Sequence, residues 1–139
     1  MKPTLGTKSV MLAPITAATT ARTANLDCQG ANYATIDILM GAEVNTNNTN
    51  VVLQLSESDD TTASNFATFN SSFNRTTVNT AGNVSTHHID LEGRKRYLRI
   101  TLTPDTTTNG AILTGAIATL YKDMLSASAT MLGPDVVVG

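Results

Sequence analysis

Apolar and polar positions alternate in four stretches of the chain. In "YATIDILM", Ala34, Ile36, Ile38 and Met40 fall on one side and Tyr33, Thr35, Asp37 and Leu39 on the other. A period of two with one apolar side marks a half-buried strand. "VVLQLSES" repeats the pattern, with Val51, Leu53 and Leu55 inward and Val52, Gln54 and Ser56 outward. "STHHIDLEG" sets His87, Ile89 and Leu91 against His88 and Asp90, and "RYLRITL" sets Leu98, Ile100 and Leu102 against Tyr97, Arg99 and Thr101. A fifth stretch, "AILTGAIATLY", is apolar or small on both sides. It reads as a central strand covered on both faces. A buried helix is the rival, and Gly115 and the Thr residues favour the strand.

The segments between carry turn chemistry. "EVNTNNTN" after Gly41 is a loop by composition, Glu92-Gly93 is a turn, and "TPDTTTNG" holds the breakers Pro104 and Asn109-Gly110. "SESDDTTAS" is rich in side chains that bond their own backbone. "NFATFNSSF" carries Phe66, Phe69 and Phe73. Their spacing hints at a helical turn, but the surrounding Asn, Ser and Thr oppose one. A short strand or irregular segment that plugs the core with its rings is expected. Residues 1–13 and 126–139 lack this rhythm and read as N- and C-terminal arms lying on a neighbouring subunit or partner, flanking a body at 14–125. The expected fold is all-β: a single-domain antiparallel β-sandwich or jelly roll with extended terminal arms.

Composition narrows the function. Charged residues are 14% of the chain, against about 25% in ordinary domains. Thr, Asn and Ser fill the gap, giving a neutral, hydrogen-bonding surface suited to permanent contact with another protein. The net charge is −2, without the basic excess that phosphate neutralisation requires, so no nucleic-acid partner is expected. No stretch approaches the roughly 18 apolar residues of a membrane span, so no membrane partner is expected. Lys2 and Lys8 before a short apolar run imitate a leader, but Pro14 interrupts it, and no cleaved leader is expected. The N-x-S/T sequons at Asn47, Asn70, Asn74 and Asn83 arise by chance in so Asn- and Thr-rich a chain.

Candidate chemistry is sparse. Cys28 is the single cysteine, so no internal disulfide forms, and it reads as a small buried residue rather than a nucleophile. Adjacent residues of a strand point to opposite faces, so His87 and His88 do not share a metal, and no metal or cofactor is expected. Glu57, Asp59 and Asp60 lack the calcium-loop pattern and read as a solvated turn. No nucleophile elbow, P-loop or dinucleotide glycine pattern occurs, and enzymatic activity is not expected. One cluster stands out: Arg94, Lys95, Arg96 and Arg99 in "EGRKRYLRITL". It has two main readings, with nucleic-acid binding third because aromatic stacking platforms are scarce. Arginine forks suit carboxylates of a partner, and positive charge at a strand entrance discourages edge-to-edge pairing. Val136, Val137 and Val138 add an apolar cluster as a second interface candidate.

Segments "PITAATTARTANLDCQGANYATIDILMGAE", "NVVLQLSESDDTTASNFATF", "HHIDLEGRKRYLRITLTP" and "NGAILTGAIATL" follow one another in order. Together, over roughly residues 14–125, they resemble the head decoration (cement or minor capsid) proteins of tailed bacteriophages. "DLEGRKRYLRITLTP" is the most specific part. The resemblance implies a β-sandwich body without catalytic activity, assembled as a homo-oligomer with a trimer favoured. It also implies a place on the outer surface of the virion head, bound to the phage major capsid protein and bridging its subunits. The alternatives are a tail or baseplate component and a carbohydrate-binding adhesin. Sugar sites favour exposed aromatics, and only Tyr33, Tyr97 and Tyr121 offer tyrosine rings, with no Trp in the chain.

Overall fold

Each alternating stretch forms a strand. The structure, a computed structural model, describes residues 7–17, 20–41, 50–76, 83–105, 112–122 and 136–137. In chain order the strands are β1 (Thr7–Ala17), β2 (Arg22–Asp27), β3 (Tyr33–Met40), β4 (Asn50–Ser58), β5 (Ala67–Thr76), β6 (Asn83–Asp90), β7 (Tyr97–Asp105), β8 (Ile112–Tyr121) and β9 (Val136–Val137). A single 3₁₀ turn, Ala63–Asn65, precedes β5. One sheet has the order β1-β8-β3-β6-β9 and the other β2-β7-β4-β5. Strand 4 pairs with 5, 3 with 6, 2 with 7 and 1 with 8, all antiparallel. The chain is thus one long hairpin rolled so that its pairs fall in turn into two sheets. Only β9 runs parallel to its neighbour, β6.

The two sheets share one core. Leu12, Ala34, Ile36, Ile38, Met40, Ile89, Ala116 and Ala118 from the first sheet join Leu26, Val51, Leu53, Leu55, Leu98, Ile100 and Leu102 from the second in a single buried cluster. Every inward residue expected on β3, β4 and β7 is buried, as are His87, Ile89 and Leu91 along and after β6. Burying such a Leu or Ile fully contributes about 1.5–3 kcal/mol, so these rows are the main cohesive element of the fold.

Several expectations are corrected. Residues 7–13 do not belong to an arm: they form the outer part of β1, an edge strand paired with β8. Pro104 does not break the chain into a loop but lies buried within β7, opposite Val51. Pairing with β2 ends at Leu102, so beyond it β7 has only β4 beside it among the described residues, where a strand tolerates proline. Ser56 keeps its outward parity but is buried, its Oγ 3.2 Å from the Thr68 Oγ1. Strand β8 is central, between β1 and β3, yet its outer face is only partly covered: Leu113 is 45% exposed. Strand β2 was not expected, although Ala24, Leu26 and Cys28 alternate with Thr23, Asn25 and Asp27. Residues 1–6 of the N-terminal arm and 126–135 and 138–139 of the C-terminal arm lie outside the described residues.

One side chain ties the sheets together by hydrogen bonds. Arg22, on β2, donates to the Ala13 carbonyl of β1 at 2.8 Å and to the Thr114 carbonyl and hydroxyl of β8 at 2.5 and 2.6 Å. Thr114 is fully buried, and Arg22 is partly buried, which pushes its pKa down. Its Nε is buried without a hydrogen-bond partner among the described residues. The guanidinium therefore satisfies polar groups that the roll would otherwise strand between sheets. Arg22→Ala is expected to lower stability by about 1–3 kcal/mol. Arg22→Lys recovers only part, because an ammonium lacks the planar fork. Urea unfolding midpoints measure both, and an unchanged midpoint in the alanine variant would remove this role. Ile100→Ala, in the packed core, is expected to cost about 2–5 kcal/mol in the same assay.

Candidate functional site

The basic run occupies the β6–β7 connection. Its first residue closes a four-residue turn, with the Arg94 amide donating to the Leu91 carbonyl at 3.0 Å. Gly93 sits third in that turn at φ 76°, where a type II turn demands a positive φ. Gly30, also at φ 76°, does the same between Cys28 and Ala31 after β2. The two turns adjoin, since the Cys28 amide donates to the Arg96 carbonyl at 2.8 Å. The run therefore lies between the β2–β3 turn and the loop that follows β4.

Each cation in it meets an acid of the same chain. Arg96 makes a two-pronged bond to Asp27, at 3.0 and 2.7 Å. Arg94 lies 3.5 Å from Glu57, and Lys95 lies 3.3 Å from Asp59. Further along β7, Arg99 donates to the Asn25 side chain at 2.9 Å and to the Ala63 carbonyl at 3.1 Å. The guanidiniums of Arg94 and Arg99 also lie 4.1 and 3.7 Å from the ring centres of Phe69 and Phe66. Phe66 and Phe69 are thus half-buried platforms for cations rather than plugs of the core, although Phe69 touches the core's margin. The Phe73 side chain lies outside the described residues. Sequence distance hid these pairs: a run of like charges looks free until the fold returns carboxylates to it. Exposed ion pairs are worth at most about 1 kcal/mol, so the arrangement acts chiefly by fixing the relative positions of three loops.

Asp60 spends its carboxylate locally. It accepts from the Thr62 amide at 2.7 Å and the Asn65 side chain at 2.8 Å, and the Asn65 and Thr62 bonds hold its pKa below the usual carboxylate value. His87 and His88 point to opposite faces as expected. His87 is buried, with its Nε2 3.0 Å from the Ser85 hydroxyl. The His88 Nδ1 bonds the Tyr33 hydroxyl at 2.6 Å, beside the Tyr121 ring. Among the described residues no three His, Cys, Asp or Glu side chains gather as a metal site. Cys28 is buried, and burial pushes its thiol up to about 11, which suits packing rather than nucleophilic attack. Val136 and Val137 form β9, opposite His88 and Ile89 of β6. Val138 lies outside the described residues.

Sequence reasoning missed a third feature. Pro14, Leu39, Met40, Gly41, Val84, Leu113 and Gly115 line an open groove of about 320 Å³. Leu39 stands in register with Val84 on one side and Gly115 on the other. The glycines make the floor. A Cβ at Gly115 would come within 3.1–3.2 Å of Leu12 and Pro14, and one at Gly41 within 2.9 Å of the Leu113 Cβ. Register shifts in β1 on either side of Leu12 accompany the close approach of Pro14 to Gly115. The large apolar side chains exposed among the described residues are Ile15, Val84 and Leu113, at 47, 54 and 45%. Two of them line the groove and the third follows Pro14. None of its described lining residues is ionisable. Its sequence signal was the doubly apolar pattern of β8, read as full coverage.

No protein-family model matches the chain, and no curated protein aligns with it significantly.

The Asp27–Arg96 pair is open to a direct test. The Arg96 hydrogen bond, followed by that of the Gln29 amide, holds the Asp27 carboxyl below its ordinary value. A depressed folded-state pKa stabilises the fold above the ordinary carboxylate range, and that contribution is lost as pH falls through the folded pKa. The effect is therefore confined to acid. Carboxyl NMR titration is expected to place the Asp27 midpoint below 3.8 and to show it rising in Arg96→Gln. An unmoved midpoint would mean that the two groups do not meet in solution.

Proposed function

We propose that the protein is a structural component of a phage virion that decorates the head, binding the outer surface of the major capsid shell and bridging its subunits. The observation that carries this reading is the gathering of exposed apolar side chains around one groove whose described lining residues carry no charge. Isolated apolar residues are ordinary on a surface, and their gathering at one concavity favours contact with another protein. The cations of the basic run, by contrast, are taken up by acids of the same chain, Arg94 by Glu57, Lys95 by Asp59 and Arg96 by Asp27, which favours the groove over that run as the docking feature. We also read the rolled strand order as that of a jelly roll, an architecture that recurs in viral capsid and lectin domains. This is analogy at the level of fold and adds support without fixing function. The resemblance of segment order to decoration proteins points the same way.

In this reading the basic cluster is a scaffold for the loops, and Leu113, Val84 and Leu39 form the contact with the shell. Head binding would raise particle stability by adding contacts across subunit boundaries. The test is sedimentation of the purified protein with undecorated heads and, separately, with tails. Saturable binding to heads at fixed stoichiometry is expected, with decorated heads melting at a higher temperature. Leu113→Asp is expected to weaken that binding at least tenfold, which corresponds to about 1.4 kcal/mol, while leaving the fold intact because the site is exposed. Binding to tails alone moves the protein to the tail or baseplate, and binding to neither, with selective capture on a glycan array, makes it an adhesin.

A further inference from the structure

Strand β1 is bulged where it meets the groove. Leu12 pairs with Ala116 and Ile15 with Thr114. Between those pairs lie Ala13 and Pro14 on β1 but Gly115 alone on β8. Two residues opposing one make a β-bulge, which bends a strand and re-aims its side chains. Here it seats Pro14 over Gly115. A Cβ at position 115 would lie 3.2 Å from both the Cα and the Cγ of Pro14, and 3.1 Å from the Leu12 carbonyl oxygen. Pro14 and Gly115 both line the groove, so its shape on this side follows from how β1 sits at the bulge.

The ladder alone holds this point weakly. A bulge leaves its extra residue unpaired, and Pro14 has no N–H to offer the sheet. The holding group comes from the other sheet. Arg22 of β2 donates to the Ala13 carbonyl at 2.8 Å and to the Thr114 carbonyl and hydroxyl at 2.5 and 2.6 Å. Ala13 immediately precedes Pro14, and Thr114 immediately precedes Gly115. One planar fork thus grips both strands a single residue away from the contact that forms the groove floor. Thr114 is fully buried, whereas its neighbour Leu113 is exposed, as alternation across a strand requires. The guanidinium therefore acts from the core side of β8, the groove opens on the outer side, and the bulge stands between them.

We infer that Arg22 is a positioning residue for the groove. By fixing the bulge from within, it holds Pro14 against Gly115 and sets the gap that a partner's apolar side chain enters. A charge-assisted fork suits this task because it fixes direction as well as distance. The groove is shaped before a partner arrives, so binding does not have to order it. What the groove receives rests on the head-binding reading. The positioning does not, and it is tested on the protein alone.

The test is NMR of the full-length chain labelled at glycine, proline and methyl groups. In the wild type a cross-peak between the Gly115 α-protons and the Pro14 ring is expected from their close approach. Arg22→Ala is expected to lose most of that cross-peak and to shift the Leu39 and Leu113 methyl signals, while the Leu55 methyls in the core stay in place. Arg22→Lys is expected to fall between, because an ammonium lacks the fork. Ile89→Val, a change in the buried row of β6, lowers stability away from the bulge and is expected to leave the cross-peak and the groove methyls unmoved. If Arg22→Ala does not fold, Arg22→Lys decides by the same signals. A wild-type cross-peak with unmoved groove methyls in the folded Arg22 variant would overturn the positioning role. So would equal changes in Ile89→Val, because the groove would then follow overall stability. Sedimentation with heads separates this role from the proposed function: Arg22→Lys is expected to bind heads more weakly than the wild type. A wild type that binds no heads, beside an Arg22 variant that loses the cross-peak, removes head binding and leaves the positioning role supported.

Discussion

Everything in this fold depends on the burial of one face of each sheet against the other. The rolled hairpin places β3 and β8 in one sheet and β4 and β7 in the other as central strands, and their inward rows supply most of the shared core. A side-chain period of two leaves no freedom in this arrangement. A slip of one residue would turn Ile36 and Ile38 out to water and bring Thr35 and Asp37 in. Register is therefore set by hydrophobic burial, and the loops must accommodate it. With charge so scarce, electrostatics has no comparable hold on the structure.

That hierarchy explains how the charges are used. The turns at Gly30 and Gly93 bring the basic run against Asp27, while Glu57 and Asp59 approach from the end of β4. The pairs Arg96–Asp27 and Lys95–Asp59 are well exposed and screened, so they select among loop positions more than they stabilise the body. The Arg94–Glu57 pair is more enclosed, and with Phe69 beneath the guanidinium it joins β5 to the same loop cluster. Arg22 is a different case. It bonds carbonyls and a hydroxyl between the sheets, where leaving polar groups unpaired is costly.

Local pattern made the central strands legible. Ala34–Met40, Val51–Leu55 and Leu98–Leu102 alternate cleanly because each is half-buried, and they are buried where the alternation places them. Strand β1 was hidden because Pro14 and the register shifts around Leu12 break its period. Pro104 was misread because proline is a breaker only where its missing donor is needed on both sides of a strand. The site was harder still. Arg94, Lys95, Arg96 and Arg99 were conspicuous, but their partners Glu57, Asp59, Asp27 and Asn25 lie tens of residues away, and only the topology brings them back. The Ile15, Val84 and Leu113 patch comes from three separate strands, so no single window of sequence could display it.

The groove and the register shifts of β1 belong to one structural accommodation. Gly115 lacks the side chain that would hold Pro14 away, so β1 can close over the outer face of β8 there and leave the row of Leu39 and Val84 uncovered beside it. Gly41 plays the matching part at the other side, where its amide bonds the Leu113 carbonyl at 2.7 Å and its missing Cβ lets Leu113 lie close. Two glycines thus turn a flat strand surface into a concave one while exposing Leu113 and Val84 as its rim. A flat apolar row would be a liability in an isolated domain, because it invites unspecific association. Concavity restricts it to partners whose side chains fit between the rims, and the described lining residues offer shape rather than charge. Shape is what a chain with so few charges has available for recognition.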